Sequence, residues 1–218
     1  MNIELELEKK NLKKRSADSH KGDFGHVLLV GGGQLAYAGA IILAAEACLR
    51  SGAGKVSMVI NPSAVARLST ASMEIICYAQ DEIEDLLKTA TVVVLGPGLA
   101  QTKWSEKMFD VVMRYDLPMV LDADGLNILA KSEHKRKNWI LTPHPKEAAR
   151  MLGVSVQTIQ DDRKKAIEKL QQKYEGVVVL KGANTLVHAE NEHAVCRHGN
   201  PGMASGGMGD VLSGLIGG

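Results

Sequence analysis

Val27-Leu28-Leu29-Val30-Gly31 runs straight into Gly32-Gly33-Gln34-Leu35-Ala36, and from there into Ala38–Ser51, a stretch made almost wholly of Ala, Ile, Leu and Gly. The first run is apolar and too short for a helix. The middle is a glycine turn, and the last stretch has the length of a helix and small apolar residues throughout. Together they read as one strand–turn–helix unit. A strand with no polar alternation is buried on both faces, which is the condition of a parallel sheet covered by helices above and below.

The same grammar repeats outward from this unit. Lys55–Ile60, Thr91–Leu95, Pro118–Asp122, Trp139–Leu141 and Val177–Lys181 read as further buried strands, each ended by Gly, Pro or Asp. Ile83–Lys88, Ser105–Tyr115, Pro145–Leu152 and Thr158–Tyr174 read as the helices between them. Strand–helix alternation of this kind predicts an α/β fold of three layers, α/β/α, with a mostly parallel central sheet. Thr185–His188 and His193–Arg197 add a late antiparallel hairpin, whose His188 and His193, with His198 beyond, read as surface residues. Helix Ala38–Ser51 is apolar nearly all round, as expected of a helix held between a sheet and another subunit. Helix Thr158–Tyr174 carries Asp161, Asp162, Lys164, Lys165, Glu168, Lys169 and Lys173 and reads as a solvated face.

The chain has 218 residues, enough for one sizeable core, and no repeat, linker or low-complexity tract divides it. A net charge of +1 leaves no footprint for nucleic acid or an anionic membrane surface. Cys48, Cys77 and Cys196 are far apart and odd in number, which excludes a disulfide framework or CxxC zinc site and suits the reducing cytoplasm. The first 15 residues are polar and charged, without the apolar run of a secretory leader, and no run of membrane length follows.

In such sheets ligands bind beyond the carboxyl ends of the strands. Gly31–Ala36 satisfies G-x-G-x-x-A, but the second strand ends in Asn61-Pro62 where a dinucleotide fold needs an acid for the ribose, so a phosphate or substrate loop is the better expectation. Gly54-Lys55 fails as a phosphate-binding Walker motif, because positions 49 and 56 are Leu and Val. Gly96-Pro97-Gly98-Leu99 is a turn or a close backbone approach. Gly199-Asn200-Pro201-Gly202-Met203-Ala204-Ser205-Gly206-Gly207-Met208-Gly209-Asp210 is the strongest local signal, because this glycine-rich loop opens the apolar-periodic run Val211–Ile216. Unpaired amides and the positive end of a helix dipole there suit a phosphoryl group, with the amides of Gly206, Gly207, Met208 and Gly209 as its anion hole.

Polar residues stand at other strand ends too: Asp122-Ala123-Asp124-Gly125-Leu126-Asn127, Thr142-Pro143-His144-Pro145-Lys146-Glu147 and Lys181-Gly182-Ala183-Asn184-Thr185. Each alone has a plain reading as turn, helix start or surface cation. Together they place acids, amides, a His and a Lys along one sheet edge. Glu147, one turn inside a helix begun at Pro145, is placed to hold Mg²⁺ through water beside nucleotide phosphates.

Taken in order, these motifs closely resemble the ADP/ATP-dependent NAD(P)H-hydrate dehydratases of the ribokinase-like fold. The resemblance runs from Lys21-Gly22-Asp23-Phe24-Gly25 to the end and includes Gly39-Ala40 and Gly52-Ala53-Gly54. It implies that Ala40, Gly98, Asn127, His144 and Asp210 meet the hydrated nicotinamide nucleotide. It implies further that Lys181, Gly182, Ala183, Asn184, Thr185 and Gly209 line the site of ADP or ATP. Such enzymes phosphorylate the hydroxyl of the hydrated S-epimer of NADH or NADPH and then eliminate phosphate, leaving AMP or ADP. Asp210 would be the catalytic base, and its place at a helix N-terminus predicts a low pKa. A ribokinase-like kinase of a small alcohol or vitamin precursor is the competing reading, and a nucleotide-binding relative without turnover a third. Many relatives carry an epimerase domain that this chain lacks, so a separate NAD(P)H-hydrate epimerase is the implied partner, and family habit favours a homotetramer. Relatives also continue beyond the helix in which Gly217-Gly218 stands, so the expectation is a single domain over residues 1–218, shortened at its C-terminus.

Overall fold

The computed structural model describes residues 15–218 apart from Ala71 and Asn191, so the leaderless reading of the N-terminus falls mostly outside the described residues. Strand β1 (His26–Gly31) is buried along its whole length. It pairs in parallel with β2 (Lys55–Ile60) on one side and β4 (Val92–Leu95) on the other, setting Val27 opposite both Val56 and Val92. Strands β5 (Met119–Leu121), β6 (Trp139–Leu141) and β7 (Val177–Leu180) continue in parallel beyond β4. The hairpin β8 (Thr185–Ala189) and β9 (Glu192–Cys196) closes that edge antiparallel. A short β3 (Ile76–Tyr78) closes the other, giving the order β3-β2-β1-β4-β5-β6-β7-β8-β9.

The layers follow from side-chain alternation. Leu28 and Val30 of β1 enter one core with α2 (Ile83–Thr89), α3 (Lys103–Val112), α4 (Ala123–Leu129), α5 (Pro145–Leu152), α6 (Val156–Asp161) and α7 (Arg163–Tyr174). Val27 and Leu29 point the other way, into a second core with Ile41, Ala44, Ala45 and Cys48 of α1 (Ala38–Ser51). Helix α8 (Met208–Gly217) joins that second layer and packs on α1, β4 and β5. The three-layer α/β/α architecture expected from the sequence is the one observed.

Three details differ from the sequence reading. The helix expected over Thr158–Tyr174 breaks at Asp162, whose φ of −145° is not helical and whose side chain caps α7 by accepting the Lys165 N–H at 2.9 Å. Helix α4 occupies the segment read as a polar turn. Its N-cap is Asp122, and Gly125 sits in it because a side-chain carbon there would fall 2.6 Å from the Leu95 carbonyl oxygen. Helix α3 begins at Lys103 rather than Ser105, because Thr102 and Ser105 cap one another's backbone.

Candidate functional site

Three consecutive parallel strands deliver their polar ends side by side. Asp122 follows β5, Thr142 and His144 follow β6, and Lys181 follows β7. The Lys181 N–H donates to the Pro143 carbonyl at 2.9 Å, which ties the second and third of these ends together. Asp122 is buried, and its carboxylate is shared: Oδ1 accepts from Lys181 Nζ at 2.6 Å and Oδ2 from Ser213 Oγ at 2.6 Å. Ser213 Oγ also bonds the Gly209 carbonyl at 2.9 Å, within the same helix. A first side-chain carbon on Gly209 would lie 3.3 Å from Lys181 Nζ, so the start of α8 stands directly over the lysine.

That helix opens at Gly207, whose φ of +90° turns the chain into α8 without a side-chain cap. The first bond of the ladder runs from the Val211 N–H to the Gly207 carbonyl at 2.9 Å. The amides of Met208, Gly209 and Asp210 therefore precede it and have no intrahelical acceptor, which leaves them available to an anion. Gly206 is open, with nothing within 4 Å of where a side chain would begin.

The low pKa expected of Asp210 is not found. Burial, and then the nearby Asp122 carboxylate, push it up to about 6, against the pull of Lys181. Desolvation and like charge outweigh the helix end here. Such a carboxylate is mostly ionised at neutral pH and more basic than an ordinary aspartate.

His144 is the N-cap of α5. Its Nδ1 accepts the Lys146 and Glu147 N–H groups at 3.1 Å each, and its own N–H donates to Glu147 Oε2 at 2.8 Å. A neutral ring with Nδ1 used as acceptor carries its proton on Nε2, and Nε2 lies 3.5 Å from Glu147 Oε1. Partial burial, then Lys181, hold the imidazole below its usual pKa. Burial lifts the Glu147 carboxyl to about 7, more than Lys181 draws it down. Among the described residues no group of three or more His, Cys, Asp or Glu is placed to cage a metal ion. The donors at hand fit only a phosphate-held cation reached from Glu147 through water.

Asn127 is held between Asp124, whose Oδ1 accepts its Nδ2 at 2.9 Å, and the Arg150 guanidinium. Ala40 and Gly98 meet across the start of α1, with 3.2 Å between the Ala40 methyl and a first carbon on Gly98. Residues Gly182, Ala183 and Asn184 are exposed beyond Lys181, and Thr185 Oγ1 bonds the Gly182 carbonyl at 2.9 Å. They are held from α7. Arg163 Nη1 donates to the Ala183 carbonyl at 2.8 Å, and Nη2 to those of Leu180 at 3.0 Å and Lys181 at 3.2 Å. Arg163 is thus a clamp, while Asp161, Asp162, Lys164, Lys165, Lys169 and Lys173 form the exposed, solvated face that was expected.

Two other expectations change. Gly31–Ala36 is not a free phosphate loop, because the Gly32 N–H donates to the Pro97 carbonyl at 3.1 Å and the Gly33 N–H to that of Gly98 at 2.8 Å. A side chain at Gly31 would begin 2.1 Å from the Pro97 oxygen, and at Gly33 1.9 Å from the Leu99 oxygen, so these glycines serve loop-to-loop packing. His188 is buried, not exposed; it stacks on His193 at 3.9 Å between ring centres. Asp122 was visible as a strand-end acid, and Ser213 lies one turn beyond Gly209, yet nothing local marks Asp122 as the shared partner of Lys181 and Ser213. Arg163 carries no sequence signal at all.

A family model described as NAD(P)H-hydrate dehydratase matches residues 27–218. Over 211 residues the chain is 51% identical to a bifunctional NAD(P)H-hydrate repair enzyme of Coxiella burnetii, covering 95% of this chain and 43% of that one. It is 41% identical to an ADP-dependent (S)-NAD(P)H-hydrate dehydratase of Neisseria meningitidis, covering 94% and 72%. A Bacillus subtilis ADP/ATP-dependent NAD(P)H-hydrate dehydratase, co-crystallised with ATP and Mg²⁺, superposes with a TM-score of 0.76 at 32% identity, covering 94% and 75%. A ribokinase-like superfamily protein of Enterococcus faecalis does so at 0.85 and 27%, covering 94% and 74%. The chain spans less than half the length of the bifunctional relative.

Proposed function

The chain belongs to the NAD(P)H-hydrate dehydratase family, and from that premise we propose that it repairs nicotinamide nucleotides by ADP- or ATP-dependent dehydration of the hydrated S-epimer of NADH or NADPH. The products are the restored cofactor, phosphate, and AMP or ADP. One observation carries the reading: a buried-edge aspartate of raised basicity, Asp210, stands in the first turn of a glycine-opened helix directly above Lys181.

In this reading the amides of Gly206–Gly209 hold the transferring phosphoryl group, Lys181 meets its charge, and Gly182, Ala183, Asn184, Thr185 and Gly209 line the nucleotide. Asp210 takes the proton of the attacking hydroxyl. Ala40, Gly98, His144 and Asn127 border the hydrated ring, where the Nε2–H of His144 is a donor for a substrate oxygen. Once the hydroxyl oxygen carries the phosphoryl group, the ring nitrogen's electron pair expels phosphate, which leaves far more readily than hydroxide, and loss of a proton from the neighbouring ring carbon restores the double bond. Glu147 would hold Mg²⁺ through water, and the cation would offset phosphate charge.

The unit proposed to act is the dehydratase domain formed by the described residues, working in the cytoplasm alongside an NAD(P)H-hydrate epimerase of the same pathway. No described helix is long and apolar enough to cross a membrane. Assembly into a homo-oligomer, a tetramer in the first instance, is supported by the exposed Leu35, Tyr37 and Leu43 around the start of α1.

Incubating hydrated NADH with ATP or ADP tests the proposal. Absorbance of the reduced nicotinamide should rise, with inorganic phosphate released in equal amount; a stable phosphorylated alcohol and no absorbance gain would favour the small-alcohol kinase. Asp210→Asn should lower turnover by roughly 10²–10⁴-fold. Because Asp210 must be ionised to accept the proton, wild-type kcat/KM should fall as pH drops through about 6.

A further inference from the structure

Asp122 has been left without a role in the chemistry, although it is the most deeply buried acid of the cluster. It comes from β5, yet it grips β7 through Lys181 Nζ and α8 through Ser213 Oγ, both at 2.6 Å. Neither bond is needed to close the sheet, since the strands there already pair by backbone. A buried carboxylate is tolerated when it is paired and hydrogen-bonded, and here both its oxygens are spoken for.

We propose that Asp122 is a positioning residue: through Ser213 it holds the first turn of α8 over the strand ends, and through Lys181 it holds the cation, so that Asp210 and the phosphoryl group meet in register. Deepening the function proposed above, this inference makes Asp122 a second determinant of how basic Asp210 is. Its negative charge resists ionisation of Asp210, while its grip on Lys181 keeps the ammonium partly neutralised. Glu147 and His144, which also face Lys181 and Asp122, complete the charges around the site.

The sign is the same for both effects. Asp122→Asn removes a like charge from Asp210 and frees Lys181 to act on it, so Asp210 should titrate lower. Carbon-13 NMR of the aspartate carboxyls, in the full chain without substrate, reads this directly. The expected result is a midpoint for Asp210 at least about half a pH unit below wild type. An unmoved or raised midpoint would overturn the electrostatic part. Ser213→Ala changes no charge and tests the tether even if the first variant does not fold. It should leave the Asp210 midpoint in place and lower kcat about tenfold with KM for ATP within twofold. Undiminished kcat would overturn the tether. A wild-type chain that fails to restore hydrated NADH would sink the proposed reaction instead, and the NMR midpoints would still decide the role of Asp122.

Discussion

At the scale of single residues, the chemistry turns on a carboxylate that the fold makes uncomfortable. Folding raises the Asp210 pKa from an ordinary aspartate value to about 6, so its ionised form is held at a loss in the native state. That loss is absent well below pH 3.8, where the group is protonated in both states. It sets in as pH rises and is complete above about 6. Asp210→Asn should therefore stabilise the protein at pH 8 by ~1 kcal/mol, allowing for partial exposure, which is roughly 2–4 °C in Tm. At about pH 3 the gain should all but vanish, and scanning calorimetry at both pH values checks it; an equal gain at both would remove burial as the cause. The sequence shows that an aspartate opens a glycine-led helix, because capping chemistry is local. It hides the sign of the pKa shift, because burial is set by tertiary packing and Asp122, which adds to it, lies far back in the chain. His188 was hidden for the same reason: the burial of one hairpin residue depends on what packs over the sheet.

At the scale of elements, helices and strands were legible wherever apolar runs were long, as in β1, β2 and α1. They were not where polar residues interrupt them. Ile76–Tyr78 is too short to announce a strand and earns that state only by pairing with Ser57–Val59 of β2. Ala123–Leu129 begins Ala-Asp-Gly, the composition of a turn, and becomes helical because Leu126 and Leu129 are buried in the core. Asp162 divides the long charged helix by capping its second half, and that break sets Arg163 at the start of α7 against the turn after β7. From there Arg163 donates to the Leu180, Lys181 and Ala183 carbonyls, ordering the segment proposed to line the nucleotide. Arg163→Met keeps the aliphatic packing and deletes the donors. Its KM for ATP or ADP should rise about tenfold while kcat stays within about twofold, the pattern of lost uniform binding. Steady-state kinetics with a varied nucleotide read the split; a fall in kcat at unchanged KM would argue against the clamp.

At the scale of the whole molecule, the chain winds outward from β1 through β2 to β3, then returns to place β4 on the other flank of β1. Sheets of this kind usually open a ligand crevice at such a reversal. Here the Gly31–Gly33 and Gly96–Gly98 turns bond to each other across it, and the polar groups gather farther along, over the ends of β5, β6 and β7. The strand-end motifs were readable one by one, and their convergence on one edge followed from a parallel sheet. That α8 would close over that edge did not, since it depends on a contact between the two ends of the chain. At Gly214 this contact is close, with only small side chains beside it. A first carbon on Gly214 would fall 2.1 Å from the Ala44 carbonyl oxygen and 2.7 Å from the Ala47 methyl, while Cys48 Sγ donates to the Gly214 carbonyl at 3.1 Å. Gly214→Ala should lift α8 by on the order of 1 Å and lower kcat about 10²-fold, though residue 214 touches none of the proposed substrate groups. Unaltered kcat in a folded variant would show that the helix can slide. With Gly214 seated against the Ala44 carbonyl, no flexible side chain at that point takes up a shove, so α8 acts there as a lever on α1, with the aspartate at its tip.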